Sequence, residues 1–156
     1  MHRADCIVCA TLAGARRPPG GMLYEDACWA FFLRARPLLA PGQGFIALKR
    51  HCERLSDLRP DEAHTLGPML QRVEAALTHV LTPARVHFGI YGEAAPHLHV
   101  HVVPRMPNMP AGNIPISILH AWYDVLSRLR LRQGYSDEAV VAVAQRLRAK
   151  LQSMAA

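Results

Sequence analysis

Three histidines alternate in this 156-residue chain: His97, His99 and His101 are separated by Leu98 and Val100 and followed by Val102 and Val103. On a β-strand successive side chains point to opposite faces. This spacing therefore sets three imidazoles on one face and Leu98, Val100 and Val102 on the other, where they would pack into a core. A neutral imidazole is a competent nucleophile near pH 7, since its reference pKa of about 6.5 leaves much of it unprotonated. It attacks phosphorus well when its second nitrogen donates to an acceptor that fixes the tautomer and steadies the developing positive charge. Neighbouring imidazoles supply donors to phosphate oxygens. The set suits a phosphoester or phosphoanhydride better than a peptide. A metal cluster without catalysis and a purely structural cluster are the competing readings.

A second group with chemical potential is Cys6-Ile7-Val8-Cys9. Zinc in a structural site normally takes four ligands, so this pair needs a second pair from elsewhere in the chain. Free thiols and a redox pair are the other readings of the same spacing. Cys28 lies in an apolar run and Cys52 follows His51, and both read as buried or half-buried thiols. His2, His64, His79, His87 and His120 lack any such spacing and read as surface or boundary residues.

The run His-apolar-His-apolar-His-apolar-apolar, with Pro96 before it and Pro104-Arg105 after it, resembles the signature of the histidine triad (HIT) family of nucleotide hydrolases and transferases. Leu48-Lys49-Arg50-His51, followed by Leu55-Ser56-Asp57-Leu58, is similar to that family's strand end and its lead into a long helix, and Tyr24-Glu25-Asp26 to its early hairpin. The likeness spans residues 5 to 105 and leaves the tail unmatched. It implies hydrolysis or transfer of a nucleotidyl group from a phosphoanhydride, ester or phosphoramidate. His99 would form the covalent nucleotidyl-histidine, His101 would contact the transferring phosphate and the leaving group, and His97 would orient the strand. The zinc-containing bacterial branch, which the paired cysteines resemble, implies a structural Zn2+ held by Cys6, Cys9, His51 and His97. Such a metal would brace the strand two residues before His99. The resemblance also implies a nucleotide or nucleotide-conjugate substrate and a homodimer joined at sheet edges. A zinc-stabilised nucleotide- or partner-binding module with little turnover, and a dinucleoside polyphosphate phosphorylase, are the alternative functions.

The chain departs from the family pattern in two places. In Gly92-Glu93-Ala94-Ala95-Pro96 a carboxyl stands where many members carry an amide. A carboxylate beside phosphate is repulsive unless protonated, neutralised or used as a base. Glu93 is accordingly read as a base for water, as a contact for an amine-bearing leaving group, or as a surface carboxylate. Leu33-Arg34-Ala35-Arg36-Pro37 lacks the aspartate with which the family contacts ribose hydroxyls. Phe32, Leu33 and Ile46 are candidates to wall a base pocket, with a core role as the competing reading of each.

The elements that must position these residues follow from pattern. Met22 to Tyr24, Trp29 to Leu33, Gly44 to Leu48, Arg85 to Tyr91 and Leu98 to Val103 read as strands, the last ending at Pro104. Apolar residues at Ala63, Leu66, Leu70, Val73, Leu77 and Val80 predict a helix from Pro60 to Leu81, with a kink expected at Gly67-Pro68. Two further helices are expected, from Ile118 to Leu131 and from Ser136 to Leu151, the second capped by Ser136. The expected fold is α+β: a HIT-like antiparallel five-stranded sheet with one long helix across it and a helical C-terminal extension. A HIT-like domain over residues 1–110 continues into that extension over residues 111–156.

Composition sets the outer bounds. With 51% hydrophobic and 19% charged residues, the chain can bury a core of its own. The net charge of +6 comes from scattered basic residues without an aromatic-interleaved stripe. That fits a solvated basic surface, or attraction of a phosphorylated ligand, and indicates no specific nucleic acid. No apolar run is long enough to cross a bilayer, the start lacks the apolar core of a signal peptide, and a cytoplasmic location is expected.

Overall fold

The computed structural model describes residues 3, 5–35, 38–92, 95–109, 115–129 and 135–154. The chain runs α1 (Ile7–Leu12), β1 (Met22–Glu25), β2 (Trp29–Leu33), β3 (Gly44–Leu48), a 3-10 turn (Leu55–Asp57), α2 (Pro60–Leu81), β4 (Arg85–Gly89), β5 (His99–Arg105), α3 (Ile116–Arg128) and α4 (Asp137–Ser153). The strands form one antiparallel sheet in the order β1-β2-β3-β5-β4, so β5 lies between β3 and β4. The long helix and the five-stranded α+β sheet have the form expected from pattern.

The sheet separates two faces by residue parity. Trp29, Phe31 and Leu33 of β2, Ile46 and Leu48 of β3, and Val100 and Val102 of β5 share one core with Met69, Val73, Ala76, Leu77 and Val80 of α2. Val140, Ala144, Leu147 and Leu151 bring α4 into that same core. Burying side chains of this size stabilises by ~1.5–3 kcal/mol each, which fixes the sheet against the helices. The α4 helix is further tied to the start of β1, where the Arg148 guanidinium donates to the carbonyls of Gly20 and Met22. Gly20 has φ +71°, and a Cβ there would lie 2.3 Å from that of Ala144. Only glycine allows this approach.

Several local features differ from the sequence-based expectation, among them β4, which stops at Gly89 rather than running on to Tyr91. α1 forms over Ile7–Leu12, where no helix is expected. α2, by contrast, spans Pro60–Leu81 as expected, with Pro68 inside it. β5 continues past Pro104 to Arg105. Pro104 costs no ladder bond because of strand parity. The Leu48 amide donates to the Leu98 carbonyl, so the even-numbered backbone groups of β5 face β3, and β3 ends opposite Val102. No helix among the described residues is long and apolar enough to cross a membrane.

A buried ion pair joins the end of β3 to the start of α2. Glu62 is 4% exposed, and its two carboxylate oxygens accept from Arg50 Nε and Nη2 at 2.7 Å each, while the Arg59 amide donates to Oε2 at 2.8 Å. Trp29 Nε1 donates to the Glu62 carbonyl at 3.0 Å, pinning the same turn to β2. The Arg50 hydrogen bond holds the Glu62 carboxyl down, from the ordinary 4.5 to about 2. A group depressed in this way stabilises the fold fully above the unfolded pKa and ceases to do so as pH falls through the folded one. Glu62→Gln should therefore cost about 3 kcal/mol in chemical unfolding at pH 7. The gap to wild type should shrink steadily as pH falls from 4.5 towards 2. A gap independent of pH would show that the carboxylate charge is not what stabilises this junction.

Candidate functional site

The N-terminal turn, the segment after β3 and the approach to β5 converge on one point. Cys6, Cys9, His51 and His97 each offer a ligand atom there, all within 4.8 Å of one another. His97 Nδ1 lies 3.4 Å from Cys6 Sγ and 3.5 Å from Cys9 Sγ, and His51 Nδ1 lies 3.4 Å from Cys9 Sγ. Bonds of about 2.3 Å to sulfur and 2.0–2.1 Å to nitrogen at tetrahedral angles place sulfur and nitrogen about 3.6 Å apart, so these spacings fit a Cys2His2 zinc centre. Both cysteines are buried and neither is in a disulfide. Burial pushes the Cys9 thiol up, which a bound cation would offset by stabilising its thiolate.

The surrounding hydrogen bonds orient the ligands. His97 Nε2 donates to the Leu48 carbonyl at 2.7 Å; a carbonyl only accepts, so Nδ1 of that imidazole keeps its lone pair toward the sulfurs. The Leu98 amide donates to Cys52 at 2.6 Å, and the Leu48 amide to Leu98 at 3.1 Å. These contacts stitch the end of β3, and with it His51, to the start of β5. Glu53 Oε1 lies 3.5 Å from His51 Nε2, within ion-pair reach but without a hydrogen bond, and Arg3 holds the same carboxylate at 3.2 Å.

Two residues on from His97, the same backbone reaches the second group. His99 Nδ1 donates to the carbonyl of His97 at 2.5 Å, which leaves the lone pair of the buried His99 on Nε2. The His101 ring lies 5.0 Å from that of His99, inclined by 38°. Phe45 packs edge-on against both, at 5.4 Å from His99 and 5.0 Å from His101, and is itself 5.9 Å from Phe32. A fixed imidazole lone pair, a second imidazole beside it and an aromatic wall can hold a phosphate ester and attack it.

The sheet face opposite the main core thus carries His99 and His101, with His97 placed just before the strand rather than within it. Of the three base-pocket candidates, Phe32 is on the histidine face, in a cluster with Cys6, Val8, Cys9, Ala47 and Ala95. Leu33 and Ile46 are not: they are 1% and 0% exposed in the core against α2. Register explains the reversal. Ile46 pairs with Val100 and Leu33 with Gly44, whereas Phe32 pairs with Phe45 and Phe45 with His101. Phe45 lies outside the sequence-based candidates although it alternates with Ile46 on β3 and so faces away from the core, opposite His101 and two residues before the Ala47 that pairs with His99. Cys28 and Cys52 are buried thiols. Glu93, Arg36, Pro37 and His2 lie outside the described residues. A shallow depression of about 520 Å3, lined by Gln71, Glu74, Ala75, Thr78 and His79, lies on the outer side of α2, across the sheet from the histidines.

Comparison with known proteins agrees with this arrangement. The family model described as "HIT domain" matches residues 16–108. The asymmetrical bis(5'-nucleosyl)-tetraphosphatase of Schizosaccharomyces pombe is 30% identical over 89 residues, covering 54% of this chain and 48% of that protein. The chain thus spans about half the length of that relative. Among solved structures, a Zn-bound histidine triad family protein from Mycobacterium smegmatis superposes with a TM-score of 0.70 at 22% identity, covering 97% of this chain and 96% of that one. A Hit-like protein from Bartonella henselae, described as involved in cell-cycle regulation, gives 0.67 at 17% identity, covering 96% and 99%.

Protein purified without added metal should carry about one equivalent of zinc per chain, and Cys9→Ser should lose most of it. Elemental analysis paired with thermal unfolding checks this. A metal-free wild type with an unchanged melting temperature would contradict the metal assignment.

Proposed function

The chain belongs to the HIT domain family, and from that premise we propose that it hydrolyses or transfers a nucleotidyl group through a covalent adduct on His99. The observation that carries the proposal is the hydrogen bond from His99 Nδ1 to the His97 carbonyl at 2.5 Å. It holds the imidazole in the one tautomer whose Nε2 can attack phosphorus. In the first step His99 Nε2 forms a bond to phosphorus, the bond to the leaving group breaks, and the leaving group takes up a proton. The carbonyl of His97 stabilises the cationic imidazole that results. In the second step water, or another acceptor, attacks the same phosphorus and releases His99. His101, 5.0 Å away by ring centroids, is assigned to the phosphate oxygens and the leaving group. Phe45 and Phe32 are assigned to the apolar wall that receives the base.

Zinc is the ion proposed for Cys6, Cys9, His51 and His97, in a structural capacity: all four positions are filled by protein, so no open position remains for substrate. The likeness to the tetraphosphatase supports a phosphoanhydride substrate. The reading includes a cytoplasmic homodimer, for which β4 is an outer strand of the sheet available to pair with a second copy.

His99→Gly should abolish the adduct and lower turnover by at least about a thousandfold. The checks are intact-protein mass spectrometry after mixing with an adenylated phosphoramidate or phosphoanhydride, and steady-state rates. Undiminished turnover in the variant, or a wild type that gains no nucleotidyl mass under rapid quench while turning substrate over, would contradict the covalent route.

A further inference from the structure

Tyr91 has no role in the reaction just described, yet its ring stands against His101. The centroids are 5.0 Å apart and the planes meet at 75°. In the β4–β5 ladder the residue directly opposite His101 is Gly89, which has no side chain to present. A Cβ at Gly89 would lie 2.6 Å from the Tyr91 hydroxyl oxygen and 2.8 and 2.9 Å from two ring carbons. The chain therefore turns back after β4 and lays the Tyr91 ring in the slot that a cross-strand neighbour of His101 would otherwise fill. Any side chain at Gly89 would displace it. Gly92, immediately after Tyr91, has φ +75°, a backbone turn that L side chains rarely adopt.

His101 is thus held between two aromatic rings, and the two differ in access. Phe45, at 5.0 Å on the β3 side, is packed on Phe32 and partly buried. Tyr91, on the β4 side, is 56% exposed. A large aromatic side chain that is anchored at one edge and open over the rest of its surface, at the rim of a phosphate site, is a stacking platform. A phosphoryl acceptor attacks in line, so the leaving group departs on the side of phosphorus away from His99. With His101 assigned to that group, the Tyr91 ring packed against His101 is an open aromatic surface for it to meet.

We propose that Tyr91 is a specificity-determining residue for the leaving group, stacking on a planar aromatic leaving group and favouring such conjugates over nucleotide conjugates whose leaving group is aliphatic. The proposal rests on the assignment of His99 and His101 made above. Two adenosine 5'-phosphoramidates test it, one of 2-(indol-3-yl)ethylamine and one of propylamine, since the bond broken is the same and only the aromatic ring differs. The readout is the ratio of kcat/KM for the indole conjugate to that for the propyl conjugate. Tyr91→Leu, which refills the slot over Gly89 without a π face, and Tyr91→Ala should each lower this ratio about tenfold, while Tyr91→Phe should hold it within about twofold of wild type. A ratio unchanged in both Tyr91→Leu and Tyr91→Ala, or one that falls equally in Tyr91→Phe, would overturn the assignment. A wild type that turns over neither conjugate would contradict the nucleotidyl-transfer reading beneath it, and the Tyr91 assignment would fall with it.

Discussion

The carbonyl of His97 accepts a hydrogen bond from His99 Nδ1, and the imidazole of the same residue faces two cysteine sulfurs while donating to the Leu48 carbonyl. One residue therefore joins the metal cluster to the proposed nucleophile through its own backbone. An imidazole free to rotate would leave the cluster, and a peptide free to tilt would release the His99 tautomer. A ligand cage of four protein donors restricts the first freedom, and incorporation of residues 99–105 into the sheet restricts the second.

The rest of the fold sustains that arrangement by dividing the sheet. One face is filled by α2 and α4 with aliphatic and aromatic side chains at interior density, which leaves β3 and β5 little freedom to shift register. The other face is then available for chemistry, with Phe32 and Phe45 lining the ground beside His99 and His101. The Arg50–Glu62 pair locks the path from β3 to α2, and His51 follows Arg50 directly on that path. Displacing that junction would move a metal ligand as well as a helix. The α1 turn completes the cage from the N-terminal side, since the Cys9 amide donates to Cys6 Sγ and sets the two sulfurs on one side of a short helix.

Much of this was legible in the sequence because it rests on periodicity. The apolar spacing from Ala63 to Val80 set α2 to the residue, the alternation of histidines with aliphatic residues placed His99 and His101 opposite the core, and Ser136 capped α4 where expected. The metal cluster was reached through resemblance rather than pattern, because a single Cys-x-x-Cys carries no information about its distant partners. Parity failed where every residue of a strand is buried. In β2 all five positions are buried, so no polar alternation separates Phe32 from Leu33, and register alone assigns them to opposite faces. Pro104 misled for a related reason, since the cost of a missing amide depends on whether a neighbour lies on that side. The position of Tyr91 was unreadable because it depends on what Gly89 lacks and on a loop that turns back on its strand.

The most direct test of this coupling is the protonation pattern of the His99 imidazole, read by nitrogen-15 NMR of histidine-labelled protein with its metal bound and after chelation. The account predicts a single tautomer protonated at Nδ1 in the metal-bound protein, and a mixture of tautomers at His99 once the cage at His97 is emptied, with the β5 backbone resonances retained. A mixed tautomer at His99 in the metal-bound protein, or the same single tautomer after the metal is removed, would contradict the claim that the metal cluster positions the proposed nucleophile.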